Sequence, residues 1–431
     1  MMDNEGLIVV YDITILSNGF RFHPSRTGIH RVVERTARGL DARHDISLKV
    51  AAAESWENYY WAGLYLRDTP GMQHLQRVPN GLLAHSLDVA QEYLYAGRGV
   101  GERGSKRVAR RLVGAIANRT SPLPARTLSG VDIFHSGFYS LPEVTRDISG
   151  VRRFITIYDM IPVLFPQFFA GGFAIQVRDI FLKALASIRD TDFVLAISQS
   201  TKSDLCSHLP IDPARVFVTP LAAATEQFYH CDNEDRVRAV KRRYAVPDDA
   251  QYMLSVNTLE PRKNMERAVK SFARVVQQHR IRDLYFVLVG TRGWDFDYIL
   301  RTIADCNLAS DRIIVTGYVP DDDLAPLYSG AAAFIYPSEY EGFGLPPLEA
   351  MQCGTPVITS NTSSLPEVVG DAGIMVSPTD EDALSQAILD LYQTPALRAE
   401  LAVRSHVRSR DFSWERYTND VVSAYRSALS A

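Results

Sequence analysis

Cysteine is scarce in this chain: four occur in 431 residues, Cys206, Cys231, Cys306 and Cys353, and no two share a Cys-x-x-Cys or Cys/His spacing. That scatter excludes a zinc module and a disulfide framework, so four reduced thiols are expected. Long apolar runs are lacking as well. No stretch reaches the roughly 18 uncharged apolar residues that a membrane-crossing helix needs. The opening Met-Met-Asp-Asn-Glu-Gly has neither the basic region nor the apolar core of a signal peptide, so a cytoplasmic protein is expected. A surplus of positive charge is also missing. The net charge of -4 argues against general nucleic-acid binding. Solenoid periods and low-complexity tracts are absent too. With 46% hydrophobic and 22% charged residues, the composition fits a globular protein of two or three domains.

Apolar strand-like runs recur along the whole length. Before residue 245 they lie at Leu7 to Leu16, Val131 to His135, Phe154 to Tyr158, Phe193 to Ser198 and Val216 to Thr219. After it they lie at Met253 to Val256, Tyr285 to Val289, Ile313 to Thr316, Ala332 to Tyr336, Val357 to Ser360 and Ile374 to Val376. Helix-compatible segments separate most of them, which predicts an α/β protein with two parallel-sheet units. The expected division is 1–245 and 246–410, with the charged run Asp232 to Arg243 forming a helix in the linker. One stretch, 98–119, is strongly basic: Arg98, Arg103, Lys106, Arg107, Arg110, Arg111 and Arg119 face the single acid Glu102. A helix from about Ser105 to Asn118 would put Val108, Leu112, Ala115 and Ile116 on one side and most of the cations on the other. Such a helix either lies on an anionic membrane surface or is half-buried with a solvated face.

The stretch Ser338 to Ala350 (Ser-Glu-Tyr-Glu-Gly-Phe-Gly-Leu-Pro-Pro-Leu-Glu-Ala) carries the chemistry. It follows a strand, turns through Gly342 and Gly344 and opens a helix at Leu345 to Pro347, where proline costs no hydrogen bond. Glycines let a backbone approach a ligand, and a helix N-terminus offers N–H donors to a phosphate. With Glu341 on the turn and Glu349 in the helix, the site suits a nucleotide sugar. A second motif, Ser255 to Asn264, places Arg262 and Lys263 at the carboxyl end of a strand, where open α/β sheets bind ligands.

The Glu-x7-Glu spacing around Gly-Phe-Gly, with Glu-Pro-Arg-Lys upstream, resembles the signature of retaining glycosyltransferases of family 4. That resemblance implies a GT-B fold of two Rossmann-like domains facing a cleft, with a last helix, about Trp414 to Leu429, crossing back so that 411–431 packs on the N-terminal domain. It implies that Lys263 contacts the donor diphosphate, Glu341 the donor sugar and Glu349 the nucleotide ribose. Gly342, Phe343, Gly344 and Leu345 then line the donor, along with Asn257. Family members usually carry Gly-Arg where Val256-Asn257 stands, so Arg262 becomes the candidate second cation. Their glycine-rich first loop, near the donor diphosphate and the acceptor, is reduced here to Thr27 and Gly28 as donor-binding candidates, with His30 and Arg31 behind it as acceptor-side candidates. Where they often carry His-Asp this chain has Tyr158-Asp159, which leaves Asp159 as a catalytic candidate, with Tyr158 and His135, the stand-in for the histidine, as acceptor-side candidates. Ser198 is either close to the sugar or a helix cap.

Charge leaving on a diphosphate is met by cations and N–H donors, so no metal or other cofactor is expected. Glycoside hydrolysis ranks low, because two acids on one turn and helix start do not flank a scissile bond. The fold would also serve an epimerase, a phosphorylase or a non-catalytic sugar-nucleotide binder. Within the family, the Thr-Leu-Glu-Pro-Arg-Lys-Asn and Tyr-Asp-Met-Ile-Pro pieces look most like bacterial mannosyl- and rhamnosyltransferases of surface-polysaccharide assembly. A hexose donor, first GDP-mannose and otherwise dTDP-rhamnose, GDP-fucose or a UDP-hexose, and a glycan or lipid-linked glycan acceptor are the expected partners. The aromatic group Trp56, Tyr59, Tyr60, Trp61 and Tyr65 is either core or a sugar-stacking surface.

Overall fold

The computed structural model describes residues 6–22, 28–95, 113, 119–169, 171–290, 293, 296–306 and 311–431. Two sheets organise them. The first contains β1 (Leu7–Asp12), β2 (Ile46–Ala51), β3 (Gln76–Val78), β4 (Ile133–Ser136), β5 (Arg152–Ile157), β6 (Phe193–Ala196) and β7 (Val216–Val218), in the order β3-β2-β1-β4-β5-β6-β7. The second contains β8 (Gln251–Val256), β9 (Leu284–Val289), β10 (Ile313–Gly317), β11 (Ala333–Tyr336), β12 (Val357–Ser360) and β13 (Gly373–Val376), in the order β10-β9-β8-β11-β12-β13. Every pairing is parallel, and β6, β11 and β12 are buried along their whole length because helices cover both faces. This is a GT-B arrangement of two Rossmann-like domains. Strand order reverses between β1 and β4 and again between β8 and β11, and such switch points open the crevices in which ligands sit.

Three expectations are corrected. The run Leu7 to Leu16 is not one strand: β1 ends at Asp12 and a helix spans Thr14–Phe22. The Asp12 carboxylate starts that helix by accepting from Thr14 N at 2.9 Å and Thr14 Oγ1 at 2.5 Å. A short apolar run does not distinguish a buried strand from a buried first helical turn. Strands β2 and β3 were not expected, because Ser47 and Lys49 interrupt the first and the second has three residues.

The third correction is His135. It lies at the end of β4 with its side chain fully buried, Nδ1 2.6 Å from Tyr425 Oη and Nε2 2.8 Å from Thr156 Oγ1. Burial lowers its pKa to about 3, so it stays neutral. Tyr425 belongs to the last helix, Trp414–Ser430, whose Tyr417 also shares a 2.9 Å hydrogen bond with Thr36 in the helix Gly28–Asp41. The histidine therefore fastens the returning helix to the N-terminal sheet and does not stand in for a catalytic one.

The aromatic group is core: Trp56, Tyr59, Tyr60 and Tyr65 are buried in or beside the helix Trp56–Asp68, and Tyr59 Oη donates to Pro79 O at 2.5 Å. The basic helix expected at 105–118 falls, apart from residue 113, outside the described residues. Among the described residues no helix is long and apolar enough to cross a membrane.

Candidate functional site

Beyond the carboxyl end of β8 the chain makes a 3-10 turn, Pro261–Lys263, and then enters the helix Met265–Gln278. Between them Asn264 takes the left-handed conformation, φ 57°, and its amide donates to Pro337 O at 3.0 Å and Pro378 O at 2.8 Å. That pinned corner aims two cations at the loop after β11. Lys263 Nζ lies 2.6 Å from Glu341 Oε1 and 2.6 Å from Tyr336 Oη. Arg262 Nη1 lies 3.0 Å from the same Glu341 oxygen, and its Nη2 donates to Glu260 at 2.6 Å. Ser338 Oγ completes the cluster at 2.6 Å.

These charges set one another. Burial works to raise the Glu341 pKa, but Arg262 and then Lys263 outweigh it and hold the carboxylate at about 2. Burial, with Arg262 alongside, lowers the Lys263 pKa from its ordinary value, while burial works to lower that of Arg262 but Glu341 and Glu260 outweigh it and hold the guanidinium above its ordinary value. Asp159 lies close enough to feel the cluster: burial raises its pKa, Arg262 opposes that, and its Oδ1 accepts from Ile161 N at 2.9 Å.

The loop carrying Glu341 is held by Ser364 Oγ, which donates to Glu341 O at 2.9 Å and Phe343 O at 2.7 Å. It presses on the N-terminal domain through Gly342, where an added Cβ would stand 1.9 Å from Tyr158 O. Glycine is needed because that approach leaves no room for a side chain. Gly344 then precedes the helix Leu345–Gln352. Within it Glu349 is buried, 3.2 Å from Tyr328 Oη and 3.8 Å from Arg31 Nη1, and burial, opposed by Arg31, raises its pKa to about 7. Arg31 also reaches Asp321, 3.3 Å away, so it bridges the two domains. Gly28 faces this helix as well: a Cβ there would lie 3.8 Å from Leu345 Cδ1.

The structure thus brings Lys263, Arg262, Glu341 and Asp159 together, and Arg31 with Glu349 a short way off. Other candidates sit differently. Tyr158 donates its hydroxyl to Gly137 O at 2.8 Å. Ser198 is the cap of the helix Gln199–His208, accepting from Thr201 N at 3.0 Å, with its side chain buried. His30 packs inside the N-terminal domain, where a Cβ on Gly19 would lie 2.2 Å from its Nε2, and burial lowers its pKa. Asn257 donates to Ser255 Oγ at 2.9 Å, while its buried Oδ1 has no partner among the described residues. Thr27 lies outside the described residues.

The sequence model of the Glycosyl transferases group 1 family matches residues 237–406. Over 294 residues the chain is 36% identical to O-antigen chain mannosyltransferase B of Escherichia coli, covering 68% of this chain and 74% of that one. The chain belongs to the group 1 glycosyltransferases. It is 29% identical over 298 residues to the serotype-specific mannosyltransferase WbdA of Escherichia coli, which covers 69% of this chain but spans 36% of WbdA. Among solved structures this glycosyltransferase is similar to sucrose-phosphate synthase of Thermosynechococcus elongatus, TM-score 0.67 at 20% identity over 99% of both chains. It is also similar to WaaG, a glycosyltransferase involved in lipopolysaccharide biosynthesis, TM-score 0.61 at 15% identity over 96% and 98%. At those identities the likeness is one of fold.

Several residues of this candidate site escaped sequence reasoning. Tyr336, Tyr328 and Ser338 lie on or beside the motifs and look like ordinary core or turn residues. Gly290, after β9, has φ 154°, and a Cβ there would stand 1.7 Å from Asn257 O; its place after an apolar strand was the available signal. Glu367, from the helix Leu365–Val369, accepts from Gln199 N and Ser200 N at 2.7 Å each, across the domain boundary.

Proposed function

We propose that this glycosyltransferase moves mannose from GDP-mannose to a glycan or lipid-linked glycan acceptor in surface-polysaccharide assembly, with retention of anomeric configuration. The donor is to be held by the second domain, 246–410, and the acceptor by the first, 1–245, with 411–431 packing back on it. The observation that carries the reading is the Lys263–Glu341–Arg262 cluster, set at a switch point opposite the helix Leu345–Gln352. The mannosyltransferase names of the relatives support the choice of sugar.

In the proposed reaction the bond from the anomeric carbon to the diphosphate oxygen breaks and its electron pair stays on the diphosphate. The acceptor oxygen bonds to that carbon from the face being vacated, and its proton passes to the departing diphosphate oxygen. Lys263 and Arg262 meet the charge that grows there, and each such prearranged group can contribute roughly 3 kcal/mol. Glu341 and Glu349 take sugar and ribose hydroxyls. We infer that these cations serve in place of a metal; activity in EDTA is expected to stay within about twofold of the untreated enzyme, a barrier change of about 0.4 kcal/mol or less. Peripheral membrane contact through 98–119 is proposed from its charge alone.

Thermal shift with GDP-mannose, GDP-fucose, UDP-glucose, UDP-galactose, UDP-N-acetylglucosamine and dTDP-rhamnose tests the donor. At about a hundred times the dissociation constant, the right donor adds roughly 2.7 kcal/mol of stability. A shift with GDP-mannose that Lys263→Ala removes is the expected result, and no shift with any donor or free nucleotide overturns it.

A further inference from the structure

A cavity of about 780 Å³ opens beside the cation cluster, on the N-terminal side. One end is polar and shared with the site: Asp159, Glu260 and Arg262 line it. The rest of the described wall is largely apolar, with Ile161, Pro162, Phe168, Phe169, Val177 and Phe181. These come from the short helix Ile161–Leu164, the turn Pro166–Phe169 and the helix Gly172–Ala186, none of which belongs to the donor motifs. The volume lies in the range of small-molecule sites.

A sugar ring placed deep in this cavity would bury hydroxyls against carbon, and each unpartnered hydroxyl costs free energy. A hydrocarbon chain gains in the same surroundings. Asp159 and Arg262 line the cavity, so an occupant reaches the cation cluster that the transferase reading assigns to the reaction. We propose that it takes the apolar segment of the acceptor, an n-alkyl or prenyl chain joined to the sugar that reacts at the Asp159–Arg262 end. This rests on the transferase reading above and narrows its acceptor to amphiphiles.

Methyl, butyl and hexyl α-D-mannoside, all below their micelle concentrations, are the probes, and ligand-observed NMR titration without donor is the measurement. Each added methylene is expected to tighten binding about fourfold until the cavity is filled. Ala174→Trp, on the half-buried wall, adds bulk and is expected to flatten the series while leaving methyl mannoside binding and the donor thermal shift unchanged. Val177→Ser keeps the space but removes apolar surface and is expected to weaken hexyl more than methyl mannoside. An affinity independent of chain length, or a steep series left intact in both variants, overturns the inference. A donor shift with a flat series removes this inference alone; a steep series without any donor shift supports the cavity assignment and removes the GDP-mannose reading.

Discussion

Glu341 and Glu349 belong to one motif, yet their surroundings pull their protons in opposite directions. Two cations meet the first, whereas burial dominates the second. The stability that Glu341 contributes is present above its unfolded value of 4.5 and is lost as pH falls toward about 2. Glu349 holds its proton more firmly folded than unfolded, so its contribution is present below 4.5 and is lost as pH rises through about 7. Glu349→Gln keeps the neutral shape, and the wild type is expected to lose roughly 2 to 3 kcal/mol relative to it between pH 4.5 and 7.5. Urea melts at several pH values measure this. A constant difference between the two proteins across that range would show that Glu349 titrates normally. The motif made both glutamates visible in the sequence, but not their opposite states, because Arg262, Tyr328 and Arg31 reach them from 79, 21 and 318 residues away.

At the scale of elements, what was legible followed periodicity. Strands such as Val357–Ser360 and the helix Met265–Gln278 stand close to where their apolar patterns placed them, because neighbouring residues alone set those patterns. Helix starts inside apolar runs were not legible, as at Thr14, where one aspartate turns the chain. Nor was the fate of His135: a histidine after a strand looks the same whether it faces a cleft or a returning helix 290 residues later. Gly290 shows how a single position ties two elements, since the end of β9 runs against the backbone after β8. Gly290→Ala combines a strained φ with a backbone clash and is expected to cost roughly 2 kcal/mol or more, read as a lower urea midpoint. An unchanged midpoint would mean that the β8 and β9 loops move apart freely.

The whole molecule is closed by small contacts around Gly342. Its carbonyl accepts from Thr201 Oγ1 at 3.3 Å, and Tyr340 Oη hydrogen-bonds Asp204, so the loop carrying Glu341 rests on the helix Gln199–His208. Gly342→Ala forces a Cβ against Tyr158 O and is expected to hold the domains apart. Turnover should fall on the order of a hundredfold, as it does when reacting groups are misplaced by about an ångström, and small-angle scattering should show a larger radius of gyration at little change in melting temperature. Full turnover with an unchanged radius would show that this contact does not govern closure. Neither closure nor its contacts could be read from either half of the sequence, since each half supplies one side.

Glu367 adds a consequence of its own. The first turn of the helix Gln199–His208 has its third amide satisfied by Ser198, but its first two by a carboxylate from the other domain. When the halves separate, that helix is left half-capped. A helix cap contributes about 1 kcal/mol, so the ratio of shut to parted molecules is tilted roughly fivefold toward shut by this one residue. The enzyme therefore carries a weak latch within its own secondary structure: parting the domains would strip two amides of the helix Gln199–His208 of their carboxylate, and closing them would restore it.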